Sequence, residues 1–209
     1  MALNQKEKQY LLQLARKSIE YYLDNGSLLK LDEKEAEKQM ARLGIEKTKQ
    51  SLEKLKEKKG CFVTLTVHSM LRGCIGHIIP VQELYKDVIE NAVNAALKDP
   101  RFPRMVKKEL EDVTIEISVL DIPKQLKYKD SEDLINILSK DKPGVILKKG
   151  FHQATFLPQV WDDLPTAEEF LSNLCMKAGL SPIEWKNKIE IETYIVEKFK
   201  EHSRKNFIN

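Results

Sequence analysis

A thiol beside a guanidinium is the arrangement in this chain whose chemistry can be named from residue types. Leu71-Arg72-Gly73-Cys74-Ile75-Gly76 sets an arginine two positions before a cysteine and brackets that cysteine with glycines. A neighbouring guanidinium favours the thiolate, the form that acts as nucleophile or metal ligand. The segment follows the β-branched run Phe62-Val63-Thr64-Leu65-Thr66-Val67 across the break His68-Ser69-Met70, so it reads as the second strand of a hairpin. Alternate residues of a strand share a face. Arg72, Cys74 and Gly76 are therefore expected to point one way, and Gly73, Ile75 and His77 the other. Glycine inside a strand marks a bulge, or a place where a ligand or another backbone comes close. The plain alternative is that Cys74 is a small buried hydrophobe, as lone cysteines in apolar strands often are.

Two further stretches carry charge into ordered structure. Val113 to Leu120 alternates, with Val113, Ile115, Ile117 and Val119 on one face and Thr114, Glu116 and Ser118 on the other. Glutamate is depleted from strands, so Glu116 faces either solvent or a polar cleft. Asp99-Pro100-Arg101-Phe102 packs a turn, two charges and an aromatic together. Two functions compete for these residues. In the first, Arg72, Asp99, Arg101 and Glu116 form a polar cleft that holds a peptide terminus, nucleotide or small acid, and Cys74 is inert. Arginine's planar fork suits carboxylate and phosphate. In the second, an enzyme uses Cys74 as nucleophile and Glu116 as general base, with backbone N–H groups around Gly73 and Gly76 steadying a developing anion. Cys74 and His77 have a spacing that alternation sends to opposite faces, and no second pair completes a tetrahedral set. No metal and no cofactor is expected, and neither a phosphate-cradling glycine loop nor a serine elbow is present.

The elements that must position these groups follow from periodicity. Asn4 to Asn25 repeats apolar residues at helical spacing and stops at Asn25-Gly26. Leu31 to Lys59 interleaves Lys with Glu and reads as one exposed helix, or two short ones broken near Gly44. Pro80 is expected to open a helix with the stripe Leu84, Val88, Ala92 and Ala95 or Ala96, closed by Asp99-Pro100. Asp121 to Asp133 reads as loop, with Ser131 capping a helix through Leu138. Gly144 to Leu147 and Gln153 to Leu157 form a second hairpin turning at Lys149-Gly150. Thr166-Ala167-Glu168-Glu169 is a capping box for the helix that ends at Gly179. Ser181-Pro182-Ile183-Glu184 opens a further helical turn, and Ile189 to Phe199 alternates as a last strand. Strand pairs interrupted by single helices favour an α+β fold, mainly antiparallel sheet flanked by helices.

The totals bound the partners. The 209 residues suit one domain, or two small lobes sharing a core. With 35 basic against 32 acidic residues the chain lacks the basic excess of a nucleic-acid binder. No apolar run reaches the length of a membrane span, and Met1 to Tyr10 does not resemble a signal peptide. Three cysteines without paired spacing suit a reducing cytoplasm.

Taken together and in order, these segments resemble the AMMECR-type domain family, also called AmmeMemoRadiSam system protein A. The resemblance rests on Phe62 to Leu65, Leu71 to Gly76, Asp99 to Phe102, Ile115 to Leu120, Thr155-Phe156-Leu157-Pro158-Gln159-Val160-Trp161, and Lys177 to Leu180 with Trp185. It implies a single domain over 4–200, with a tail at 201–209, built as two lobes with the motifs gathered around a cleft between them. Within those motifs Gly73, Gly76, Ser118 and Gln159 join Arg72, Asp99 and Arg101 as candidate ligand contacts. The family name implies Memo-like and radical SAM proteins as partners. Some members carry a His-Gly pair where this chain has Pro143-Gly144, which removes a histidine-based mechanism there.

Overall fold

The computed structural model describes residues 2–42 and 49–201. The chain divides into two compact units, Met1–Leu120 with Glu197–Asn209, and Asp121–Val196. Each unit holds one four-stranded sheet, and the fold is α+β with antiparallel pairing throughout the described registers. Among the described residues, no helix is long and apolar enough to cross a membrane.

In the first unit the sheet runs β2-β1-β3-β8, with β1 at Gly60–Val67, β2 at Met70–His77, β3 at Val113–Leu120 and β8 at Val196–Lys200. Helix α1, Gln5–Asn25, begins in a capping box. Asn4 Oδ1 accepts from the Glu7 N–H at 2.9 Å, and Glu7 Oε2 accepts from the Asn4 N–H at 2.7 Å. It ends at Gly26, whose φ of 68° is the left-handed conformation that closes a helix. Helix α4, Leu84–Leu97, lies across β1 and β2 and packs on α1. Cys61, Val63, Leu65, Ile115 and Ile117 are fully buried on the helix-covered face. Burying such an aliphatic side chain contributes about 1.5–3 kcal/mol each, and this is what fixes the sheet's sidedness. The segment 31–59 contains two short helices, α2 at Glu33–Arg42 and α3 at Lys49–Lys56, and Ala36 and Leu55 are buried in the core. The expected break near Gly44 lies outside the described residues.

Pro80 does not open α4. The Leu84 N–H donates to the Glu57 carbonyl at 3.0 Å, and Lys58 bridges Glu83, so the backbone there is held extended and the helix starts later.

In the second unit the sheet runs β4-β7-β5-β6, with β4 at Lys124–Gln125, β5 at Gly144–Lys149, β6 at His152–Phe156 and β7 at Glu190–Tyr194. Helices α5, Ser131–Asp141, and α6, Ala167–Lys177, accompany it. Asp130 rather than Ser131 caps α5, its carboxylate accepting from the Asp133 N–H at 2.9 Å. Thr166 caps α6 as expected from its box. The core centres on Phe170, stacked on Trp161 at 3.9 Å and edge-on to Phe156 at 5.3 Å. Trp161 Nε1 donates to the Pro143 carbonyl at 2.8 Å, which satisfies the polar end of a buried indole.

The stretch Ile189 to Phe199 is one alternation but two strands. β7 pairs with β5 and β4 in the second sheet, while β8 joins the first. Ile195 between them is mostly exposed. Alternation reports which residues share a face, not which sheet supplies the neighbour, so the division is invisible in the pattern. The two-residue β4, which falls in the expected loop, forms for a related reason: its partner β7 lies far along the chain.

Candidate functional site

The β1–β2 hairpin turns through His68 and Ser69, both at positive φ (50° and 66°), the backbone twist a two-residue hairpin demands. Its register pairs Thr64 with Cys74, and β1 in turn pairs Thr64 with Glu116 of β3. Cys74, Thr64 and Glu116 thus form one cross-strand row on the sheet face opposite α4. Lys198 of β8 extends it, its Nζ 3.9 Å from Glu116 Oε1. Cys74 is half-buried and its sulfur lies 3.2 Å from Thr64 Oγ1. Glu116 stands two strands from Cys74, a backbone separation of roughly 10 Å.

The glycines answer to close packing. A Cβ at Gly73 would sit 2.1 Å from the Ala95 carbonyl oxygen of α4, and one at Gly76 would sit 2.2 Å from the Cys61 carbonyl oxygen. The strand and helix approach this closely because the side chain is absent.

Arg72 departs from simple alternation. The register shifts between Leu65 and Thr66, so that Leu65 faces Gly73 and Thr66 faces Leu71, leaving Arg72 as the bulged residue. A bulge re-aims its side chain. The guanidinium pairs with Glu109 of the 3-10 turn Lys107–Glu111, Nε to Oε1 at 2.8 Å and Nη2 to Oε2 at 3.2 Å. Arg72 in turn holds the Glu109 carboxyl below its ordinary range, against the opposing effect of burial.

Arg101 reaches Cys74 through Asp99, which accepts from both. Asp99, just past α4, organises this corner. Its carboxylate accepts from the Cys74 N–H at 2.8 Å, from the Arg101 N–H at 3.1 Å, and from Arg101 Nε and Nη2 at 2.9 and 2.6 Å. The Asp99 side chain is 2% exposed while that of Arg101 is 55% exposed. The Arg101 guanidinium pulls the Asp99 carboxyl far below the usual carboxylate range, with the backbone N–H groups of Cys74 and Arg101 helping and burial opposing. The arrangement is a carboxylate tied to the Cys74 backbone N–H and holding a half-exposed guanidinium. Arg101 also lies over the Phe102 ring at 5.5 Å.

A second polar cluster occupies the helix-covered side. Cys61, paired in register with His77, donates its thiol to Asp87 of α4 at 3.2 Å, and His77 Nδ1 lies 2.8 Å from the same carboxylate. Asn91 adds contacts to the Cys61 carbonyl and to His77 at 3.4 and 3.3 Å. Burial first, then the Asp87 charge, push the Cys61 thiol well up, so it stays protonated. Among the described residues, no group of three or more His, Cys, Asp or Glu side chains is arranged to hold a metal ion.

The structure thus brings Cys74, Asp99 and Arg101 together and places Glu116 in the same row through Thr64. Ser118 lies on β3 and is buried; Gln159 belongs to the second unit, in the 3-10 turn Pro158–Asp162. Sequence reasoning missed Thr64, Glu109, Lys198 and Asp87. Thr64 alone left a signal, since it is the polar residue central to the first hairpin strand.

A family model described as AMMECR1 matches residues 12–199. The chain belongs to the AMMECR1 family. The AMMECR1 match spans every candidate residue from Arg72 to Gln159. Relatives of this AMMECR1 chain include Protein MK0488 of Methanopyrus kandleri, 36% identical over 200 residues that cover 92% of this chain and 86% of that protein. A Methanosarcina mazei protein is 35% identical over 201 residues, covering 95% and 94%. Among solved structures, that of the uncharacterized protein PH0010 from Pyrococcus horikoshii superposes with a TM-score of 0.77 at 30% identity, covering 96% of this chain and 94% of that one.

Proposed function

We propose that this AMMECR1 domain is a cytoplasmic binding component, which receives the carboxylate or phosphate end of a small molecule or peptide on the polar face of its first sheet. The observation that carries this reading is the oriented Arg101. Its guanidinium is fixed by Asp99 and yet more than half its side chain remains exposed. A guanidinium held in place before the ligand arrives captures an anion with little further ordering cost. Arg72 is committed to Glu109, so the reading rests on Arg101. Cys74 contributes shape and a weak hydrogen bond through the pair it makes with Thr64. The free state of all three cysteines supports a reducing compartment. The resemblance to the AmmeMemoRadiSam system supplies the rest of the reading, in which the domain works with Memo-like and radical SAM proteins.

The enzyme reading has its own support, a half-exposed thiol whose backbone N–H is tied to the Asp99–Arg101 pair. Amide NMR of the full chain, titrated with inorganic phosphate and with N-acetylglycine, separates the two. Binding predicts saturable shifts at Thr64, Cys74 and Arg101, about tenfold weaker in Arg101→Ala and nearly unchanged in Cys74→Ser. Equal loss in both variants would sink the binding reading. A turnover assay abolished by Cys74→Ser and by Glu116→Gln would establish the enzyme in its place.

A further inference from the structure

We propose that the second unit carries a separate pocket for a small zwitterion with an aliphatic body, of the amino-acid class. The pocket encloses about 600 Å3 and is lined entirely by residues of that unit, where the end of α5 meets β4 and the end of β7. That volume falls among small-ligand sites, which run from about 300 to 1,000 Å3. Much of the wall is aliphatic: Ile122, Leu126, Ile137, Pro143 and Ile195. The Asp121 N–H donates to the Ile195 carbonyl at 3.0 Å, which sets Ile122 and Ile195 close together at one mouth. They are 61% and 69% exposed. Neighbouring exposed isoleucines on a concave surface mark a contact site more than singly scattered ones do.

The rim supplies both signs of charge. Lys124 and Lys142 line it together with Asp141, and among the described residues neither lysine has an ion-pair partner. Lys142 follows the last residue of α5 in a left-handed conformation, φ 44°. Glycine is the ordinary choice there; here Lys142 closes the helix, its N–H donating to the Leu138 carbonyl at 2.9 Å. Asp141 and the carbonyl end of α5 beside it attract a cation, while the lysines attract a carboxylate. A ligand carrying an ammonium and a carboxylate on neighbouring carbons satisfies both, and its aliphatic side chain fits the wall. Apart from Val196, the first residue of β8, the site shares nothing with the first sheet and none of its anion-binding candidates, so its failure would leave the reading of Arg101 and Cys74 untouched.

The test uses the full chain with isoleucine methyl groups labelled for NMR, titrated with L-leucine, 4-methylpentanoate and isoamylamine. Saturable shifts at Ile122, Ile137 and Ile195 are expected with leucine at concentrations on the order of 10 mM or below, and weaker binding of the two single-charge analogues. Lys142→Gln and Asp141→Asn, both surface changes, are each expected to weaken leucine binding about fivefold while leaving the analogue of the remaining charge unaffected. No saturable shift, equal affinity for either analogue, or full affinity in both variants would overturn the proposal.

Discussion

Asp99 concentrates more interaction than any sequence argument assigns to it. Four donors converge on one buried carboxylate, and a hydrogen bond to a charged group is worth about 1.5–3 kcal/mol net. Asp99→Asn is expected to cost about 2–3 kcal/mol in urea unfolding. The pH dependence has a definite sign. The folded-state pKa lies below the unfolded one, so the contribution is complete above the ordinary aspartate value of about 3.9 and is lost as pH falls toward the folded value. The stability gap between wild type and Asp99→Asn should therefore stay constant near neutrality and narrow below about pH 4. A gap unchanged down to pH 2 would contradict the assignment. The thiols give a second residue-scale outcome. Cys61 and Cys175 are buried and Cys74 is half-exposed, so Ellman's reagent should react rapidly with Cys74 in the native protein and with the other two only in denaturant.

At the scale of elements, the glycines of the β2 motif make the sharpest contrast. Gly73→Ala would drive a Cβ into a backbone oxygen of α4 at 2.1 Å. Neither partner can rotate away, so the helix must lift from the sheet, at about 3 kcal/mol. Gly26→Ala meets nothing within 4 Å and suffers only from its positive φ, at about 1 kcal/mol. Thermal unfolding of the two variants should rank them in that order. The hairpin, its turn and the faces of Cys74, Gly73 and His77 were legible because alternation is set by the backbone itself. The position of Arg72 was not. A single bulged residue shifts the register, and whether a strand bulges depends on the partner across the ladder.

For the whole molecule, two sheets with separate cores mean that stability must be read unit by unit. Both tryptophans, Trp161 and Trp185, belong to the second unit, so intrinsic fluorescence reports that core. Phe170→Ala removes the ring that Trp161 stacks on and is expected to lower the fluorescence-detected urea stability by about 3–5 kcal/mol. Leu65→Ala, in the first sheet, should cost about 2–5 kcal/mol, read by far-UV circular dichroism. A Phe170→Ala transition that overlays the wild type would mean the aromatic cluster does not hold that unit together.

What the residues alone determined was local and periodic: the helices, though α4 starts after Pro80 and α5 runs past Leu138 to Asp141, the two hairpins, the inward face of Val113 to Leu120, and the grouping of motifs by which the family is recognised. These follow from dihedral preference and burial pattern, which each short segment carries within itself. Pairing in space was decided only by the folded chain. It paired Arg72 with Glu109 and Arg101 with Asp99, tied Asp99 to the Cys74 N–H, put Thr64 between Cys74 and Glu116, and divided the last alternating stretch between two sheets. An ion pair or a strand neighbour joins groups from distant points of the chain, and no local pattern records which of several suitable partners will be within reach.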